Sequence, residues 1–335
     1  MRLLRVRQSP VFRRFICSLF FLLCWPLVAS ATKINGIDYV RLNTVASRLG
    51  MTSSWIQQGK KQKLASDWTK MVFTIHKRDF TLNGTVIYLG NPIAAKDGYL
   101  YLSQLDYNKT LRPILLPQSD SSVPGQLKHI VLDPGHGGKD PGAQNTHLKL
   151  REKDLTLDLA KRLKKELEKL GYRVSLTRGR DVFIELGTRP ILANNAGADL
   201  FISLHFNAAS NAKVSGAETY AFTPRNHPST SGSKLYASCK KNYPGNRFDT
   251  WNELVAYYVQ RQLVHDLKTQ DRGVKRARFA VLKGLKCPGI LIEGGFISNT
   301  REGKNVGWSK YRDNMAKAIA GGISVYDKTI TRIRK

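Results

Sequence analysis

The sequence predicts an α/β fold over residues 127–327, a mixed, largely parallel twisted sheet flanked by helices, preceded by a small α+β unit over residues 32–117. Three observations carry this expectation. Past residue 127, short apolar runs alternate with segments of helical period. Several of those runs, HIVLDP, ADLFISLHFNA and GILIEGGF, stop abruptly at a Gly-rich or polar loop, as buried strands do at the edge of a parallel sheet. Before residue 117 the runs are shorter and alternate with period two, and Asn83-Gly84 marks a hairpin turn.

Residues 1–31 carry five arginines and no acid, then an apolar run of thirteen from Ile16 to Val28 and the small residues Ala29-Ser30-Ala31. This is the layout of a secretory signal peptide. The run falls short of the ~20 residues that span a bilayer, and Leu23 before Cys24 argues against a lipoprotein signal. The next segment, 32–117, contains strand-like INGIDYVRL, a short helix in LNTVASRLGM closed by Gly50, the hairpin KMVFTIHKRDFTLNGTVIYL and the strand GYLYLS. It holds no cluster of acids, histidines and nucleophiles. Residues 118–126 are polar, contain Pro and Gly, lack periodicity and form the expected linker.

In the second domain, Leu155, Leu159, Leu163, Leu167 and Leu170 define an amphipathic helix from Glu152, ended by Gly171. YRVSLT, ADLFISLHFNA, GAETYAF, FAVL and GILIEGGF read as further strands. Helices are expected from Thr188 to Asn195, after a Thr250/Glu253 capping box, and from Tyr311 to Val325, with a basic tail over 328–335. Thr223 to Phe248 is a polar stretch expected to form a surface loop near the substrate groove, its prolines opposing a helix.

The net charge is +29, or +24 once the five arginines before residue 32 are removed. Such an excess suits nucleic acid, an anionic membrane surface or an acidic polymer. The export signal and the lack of any recognition motif argue against nucleic acid. Cys239 and Cys287 remain after residue 31, compatible with one bridge or with two free thiols.

Four polar residues sit at element boundaries. His136 lies in the loop DPGHGG, between glycines 135, 137 and 138; Glu152 opens a helix; His205 ends one strand and Glu293 another. The carboxyl ends of parallel strands share one edge, so these four are expected to meet. Two histidines and a carboxylate make a catalytic zinc site, and a further carboxylate can take a proton from water. Each has an ordinary alternative: a strand-end histidine is often structural, and an acid in a first helical turn is favoured by the helix dipole. Glu293, between GILI and two glycines, has no such explanation.

The blocks DPGHGGKDPGA, REKDLTLDLA, ILANNAGADLFISLHFNA, GAETY, DRGVKRARFAVLKG and PGILIEGGFISN, in this order over about 200 residues, resemble the zinc-dependent N-acetylmuramoyl-L-alanine amidases of the amidase_3 group. Residues 32–117 resemble the copper amine oxidase N-terminal-like domain, a fold relationship that implies no copper. The resemblance implies His136, Glu152 and His205 as Zn2+ ligands and Glu293 as catalytic acid/base. It also makes Arg189 and Asn207 candidates for substrate binding. It implies an exported hydrolase of the amide between N-acetylmuramic acid and L-alanine, working in the periplasm or cell wall on peptidoglycan. Anionic wall polymers or a membrane surface would attract its charge, and no protein activator is specified. A zinc peptidase acting on the stem peptide and a non-catalytic wall-binding protein remain alternatives.

Overall fold

Strand pairing ties both segments of the chain into one sheet. The computed structural model describes residues 31–335 except Ser233; the expected signal peptide, apart from Ala31, lies outside the described residues. The N-terminal segment contains β1 (Thr32–Ile34), β2 (Ile37–Arg41), α1 (Leu42–Arg48), β3 (Thr52–Gln57), β4 (Lys61–Ala65), β5 (Lys70–Thr74) and β6 (Asp79–Leu82). It continues through β7 (Thr85–Tyr88), β8 (Ala94–Lys96), β9 (Tyr99–Ser103), α2 (Gln104–Asp106) and, after a π-helical turn, α3 (Arg112–Leu115).

The second segment opens with β10 (His129–Pro134), followed by a small ribbon, β11 (Gln144–Asn145) and β12 (Leu150–Arg151). Then come α4 (Glu152–Lys169), β13 (Arg173–Leu176), α5 (Thr188–Asn195), β14 (Leu200–Asn207) and β15 (Ala217–Phe222). It ends with α6 (Asp249–Leu267), β16 (Asp271–Ala277), α7 (Ala280–Lys283), β17 (Gly289–Phe296), α8 (Thr300–Gly307) and α9 (Ser309–Ile333). Among the described residues no helix is long and apolar enough to cross a membrane.

The main sheet has eleven strands in the order β13-β10-β14-β17-β15-β16-β7-β6-β5-β4-β3. From β13 to β17 the strands run parallel; β15 is antiparallel to β17, and β16 and β7 follow parallel to β15. The join between the two segments is the Val274↔Ile87 pairing of β16 with β7. β10, β14 and β17 are buried on both faces, which is why they read as unbroken apolar runs. Ile130, Leu132, Ile202 and Leu204 pack with α4, α6 and α9 in one core, whereas Val131, Phe201 and Leu291 pack with α5 and α7 in a second. His205 and Glu293 follow the alternation of Phe201 and Leu291 and so emerge on the α5/α7 face.

Several expectations change. FAVL is no strand: Ala280–Lys283 turns as α7, and the strand lies upstream at Asp271–Ala277. Its charges disguised it, because Lys275 and Arg276 are buried there as partners of Glu218 and Glu253. That same pairing removes the capping box. Thr250 lies inside α6, which begins at Asp249 without a side-chain cap, and Glu253 faces Arg276 at 2.9 Å. The basic tail is also helical, since Tyr326 and Ile330 extend the buried stripe of α9 past Val325. Cys239 and Cys287 are buried free thiols, and burial pushes the Cys287 thiol up to about 12.

Candidate metal centre

The site is assembled where β10 and β14 end and α4 begins. β10 delivers Gly135 and His136 into a sharp turn, with His136 at φ +61. A Cβ at Gly135 would lie 2.2 Å from the His205 ring, so only glycine lets that imidazole lie against the turn. Two buried arginines hold the turn from beneath. Arg178 donates to Pro134 O at 3.0 Å and Gly135 O at 2.7 Å. Arg189 donates to Asp133 Oδ1 at 2.9 Å, Pro134 O at 2.9 Å and His136 O at 3.0 Å.

Glu152 is clamped from both sides by backbone amides: Oε2 accepts from Ala143 N at 2.8 Å and Oε1 from Phe206 N at 3.0 Å. Its carboxylate meets His136 Nε2 at 3.0 Å and His205 Nδ1 at 2.9 Å. One ligand atom from each of the three lies within 4.8 Å of the others. Burial opposes ionisation of Glu152, but hydrogen bonds from the two imidazoles outweigh it and bring the carboxyl down to about 2. His136 is likewise opposed by burial yet raised, through Glu152 and Asp140.

Asp140, which sequence reasoning missed, sits 2.8 Å from His136 Nδ1. A carboxylate on the outer imidazole nitrogen fixes the ring and leaves Nε2 for an ion. Two imidazole nitrogens and one carboxylate oxygen, converging on one point with this outer support, fit the three-ligand set of catalytic zinc.

Glu293 is the β-ladder neighbour of His205, within reach of this cluster. Its Oε2 is buried without a hydrogen-bond partner. Burial, then the charges of Glu152 and Glu218, hold its carboxyl well above the usual range, against Lys275. These residues line a cleft of about 290 Å³ whose other wall is apolar, formed by Leu186, Phe279, Ala280, Val281 and Leu291.

Asn207 lines the same cleft, its Nδ2 donating to Glu218 Oε1 at 3.0 Å. Arg189 does not: it is 1 % exposed and all its donors are spent on the β10 turn and Ile184 O. Its hydrogen bonds point to a role in holding the turn. The stretch 223–248 contains only two short 3-10 turns among its described residues and contributes nothing to the cleft lining. It packs instead on the N-terminal segment, with His227 Nε2 at 2.9 Å from Asp106 Oδ1 and Arg78 donating to Ser229 O and Gly232 O. Burying a histidine against an acid of the other segment explains why this polar stretch is not a free loop.

A family model described as N-acetylmuramoyl-L-alanine amidase matches residues 130–325, and one described as copper amine oxidase N-terminal domain matches residues 26–110. The chain is similar to the amidase LytC of Bacillus subtilis, 34% identical over 216 residues, covering 63% of this chain and 39% of LytC. It is 33% identical over 267 residues to the amidase AmiC of Escherichia coli, covering 72% of this chain and 64% of AmiC. The match therefore spans less than two thirds of either protein. Against the germination-specific amidase of Bacillus subtilis the identity is 33% over 243 residues, 68% of this chain and 89% of that one. Among solved structures, an N-acetylmuramoyl-L-alanine amidase from Clostridium difficile 630 superposes with TM-score 0.50 at 34% identity, covering 60% of this chain and 97% of that chain.

Proposed function

This chain belongs to the N-acetylmuramoyl-L-alanine amidase family, and from that membership we propose that it hydrolyses the amide between the lactyl group of N-acetylmuramic acid and L-alanine in peptidoglycan. The observation that carries the reading is the convergence of His136, Glu152 and His205 beside the buried carboxyl of Glu293 at one end of the cleft. Zn2+ held by those three side chains would supply Lewis-acid polarisation of the amide carbonyl and bring the pKa of a water toward about 7.

The chain's own groups do the rest. Glu293 accepts a proton from the attacking water and returns it to the departing amine of L-alanine, through an Oε2 that no other side chain occupies. Asp140 keeps His136 in one orientation, and the amides of Ala143 and Phe206 keep Glu152 aimed. The apolar wall formed by Leu186, Phe279, Ala280, Val281 and Leu291 offers the substrate a non-polar face opposite the polar groups. Outside the cytoplasm, in the periplasm or wall, the net charge would draw the protein toward anionic wall polymers or membrane. Nucleic acid is not a partner in this reading.

The test is mass spectrometry of defined muropeptides after incubation with the zinc-loaded protein. Release of the stem peptide with a free N-terminal L-alanine is expected. Cleavage within the stem peptide would instead make the protein a peptidase, and intact substrate alongside tight wall binding would make it a binding protein.

A further inference from the structure

Cross-strand register places a third acidic residue in line with the site. His205 of β14 pairs with Glu293 of β17, and Glu293 pairs in turn with Glu218 of β15, so the three occupy one row on one face of the sheet. Glu218 is 2 % exposed and takes four side-chain donors: Lys275 Nζ at 2.5 Å, Arg272 Nε at 2.8 Å, Tyr220 OH at 2.8 Å and Asn207 Nδ2 at 3.0 Å. A carboxylate so occupied has no capacity left for substrate. One residue that does line the cleft depends on it. Asn207 is held by a hydrogen bond, whereas Glu293 Oε2 makes none. Glu293 stands between His205 and Glu218 in this row and lines the cleft together with Asn207.

The other end of this network belongs to the N-terminal segment. Val86 N donates to Asp271 Oδ2 at 2.8 Å beside the β7–β16 pairing. Gly273, at φ +88, permits the close approach: a Cβ there would meet Val86 O at 2.9 Å and Tyr88 Cε2 at 3.2 Å. Closing β7 onto β16 brings the Tyr88 ring within 5.4 Å of Lys275 Nζ, the cation that Glu218 binds. Lys275 is thus held between an aromatic face from one segment and a carboxylate from the other. A buried charged cluster adds little stability over apolar packing, so its value lies in fixing positions.

We propose that Glu218 is a positioning residue for the hydrolysis, holding Asn207 by hydrogen bond at the wall of the cleft beside Glu293, and that Tyr88 of the N-terminal segment completes it by fixing Lys275. The inference rests on the amidase reading above. It makes the N-terminal segment part of the catalytic machinery, in addition to any contact that segment has with the wall.

The experiment compares the zinc-loaded chain with E218Q, Y88L and Y88F on a defined muropeptide, recording kcat, KM, zinc content and thermal midpoint. E218Q is expected to lower kcat about 10²-fold, as a misplaced reacting group does, with KM within about threefold and zinc content unchanged. Y88L is expected to lower kcat about fivefold, and Y88F, which keeps the ring over Lys275, to stay within about twofold of the parent. Wild-type kcat in a folded E218Q, or a loss confined to KM, overturns the inference. Should E218Q fail to fold, the tyrosine pair decides: a fall in Y88L with rescue in Y88F supports the inference, and equal kcat in Y88L and the parent overturns it. A parent protein that leaves the sugar–peptide amide intact fails earlier, in the control, and overturns the amidase reading itself.

Discussion

Arg189→Met separates a structural arginine from a substrate-binding one. The guanidinium is 1 % exposed and reaches Asp133 Oδ1 at 2.9 Å, Pro134 O at 2.9 Å, His136 O at 3.0 Å and Ile184 O at 3.0 Å. Methionine fills a similar volume but leaves Asp133, 0 % exposed, with only Thr177 Oγ1 at 2.6 Å and Ser203 Oγ at 2.8 Å. Removing one partner of such a buried pair costs about 3–5 kcal/mol. For a domain of this size that is a fall of roughly 10 °C in the thermal midpoint. The carbonyl of His136 loses its donor as well, so zinc affinity should drop about 10- to 100-fold, as for other outer-sphere supports. Thermal melts and a competitive chelator titration read both effects, and KM at saturating zinc should change less than about twofold. Unchanged melting and zinc affinity with KM raised several-fold would refute this reasoning and return Arg189 to the substrate.

Three further outcomes are expected. Gly135→Ala puts a Cβ 2.2 Å from the His205 ring, so zinc binding should weaken by about 10²-fold while the circular dichroism spectrum is retained; wild-type zinc affinity would show that the turn yields. In the metal-free chain, Glu152 goes from 4.5 to about 2 on folding, so its stabilisation is present above 4.5 and lost as pH falls through about 2. His136 is raised from 6.5, so its stabilisation is present below 6.5 and lost as pH rises through the folded value. Melts in chelator should therefore peak near about pH 5–6, while zinc affinity grows toward alkaline pH because the His136 proton must leave; an affinity flat across about pH 6–8 would contradict this. Asp106 accepts from Gly90 N at 2.6 Å and faces His227 Nε2 at 2.9 Å. Asp106→Ala should thus cost about 3–5 kcal/mol in one cooperative denaturant transition, since both segments share a sheet; two transitions, only one of them shifted, would argue against it.

What could be read from the sequence follows the physics of burial. β10, β14 and β17 lie under helices on both faces, so apolar runs announced them, with His136 in the loop after the first and His205 and Glu293 near the ends of the other two. β16 was hidden because its buried positions include Lys275 and Arg276, whose partners Glu218 and Glu253 stand far away in sequence. β3, at the sheet edge and largely exposed, carries too little apolar alternation to be distinguished from a loop. Asp140 had a local signal, four residues after His136 in the same loop. Glu218 had none, because only strand register sets it beside Glu293. The same limit applies to Arg189: nothing local in the chain says that its charge turns inward to Asp133. Nor does any local pattern reveal that the N-terminal segment extends this sheet, through the Val274↔Ile87 pairing and the Val86–Asp271 hydrogen bond beside it.

The most direct test of the central claim is a single-turnover comparison of the zinc-loaded parent and Glu293→Gln on a defined muropeptide, with zinc content measured on both. The account predicts equal zinc content and a rate lower by about 10²- to 10⁴-fold in the variant, the loss of a general acid/base. A Glu293→Gln protein that holds zinc and cleaves the amide at the parent rate would contradict it, and the proton would have to be carried by another group.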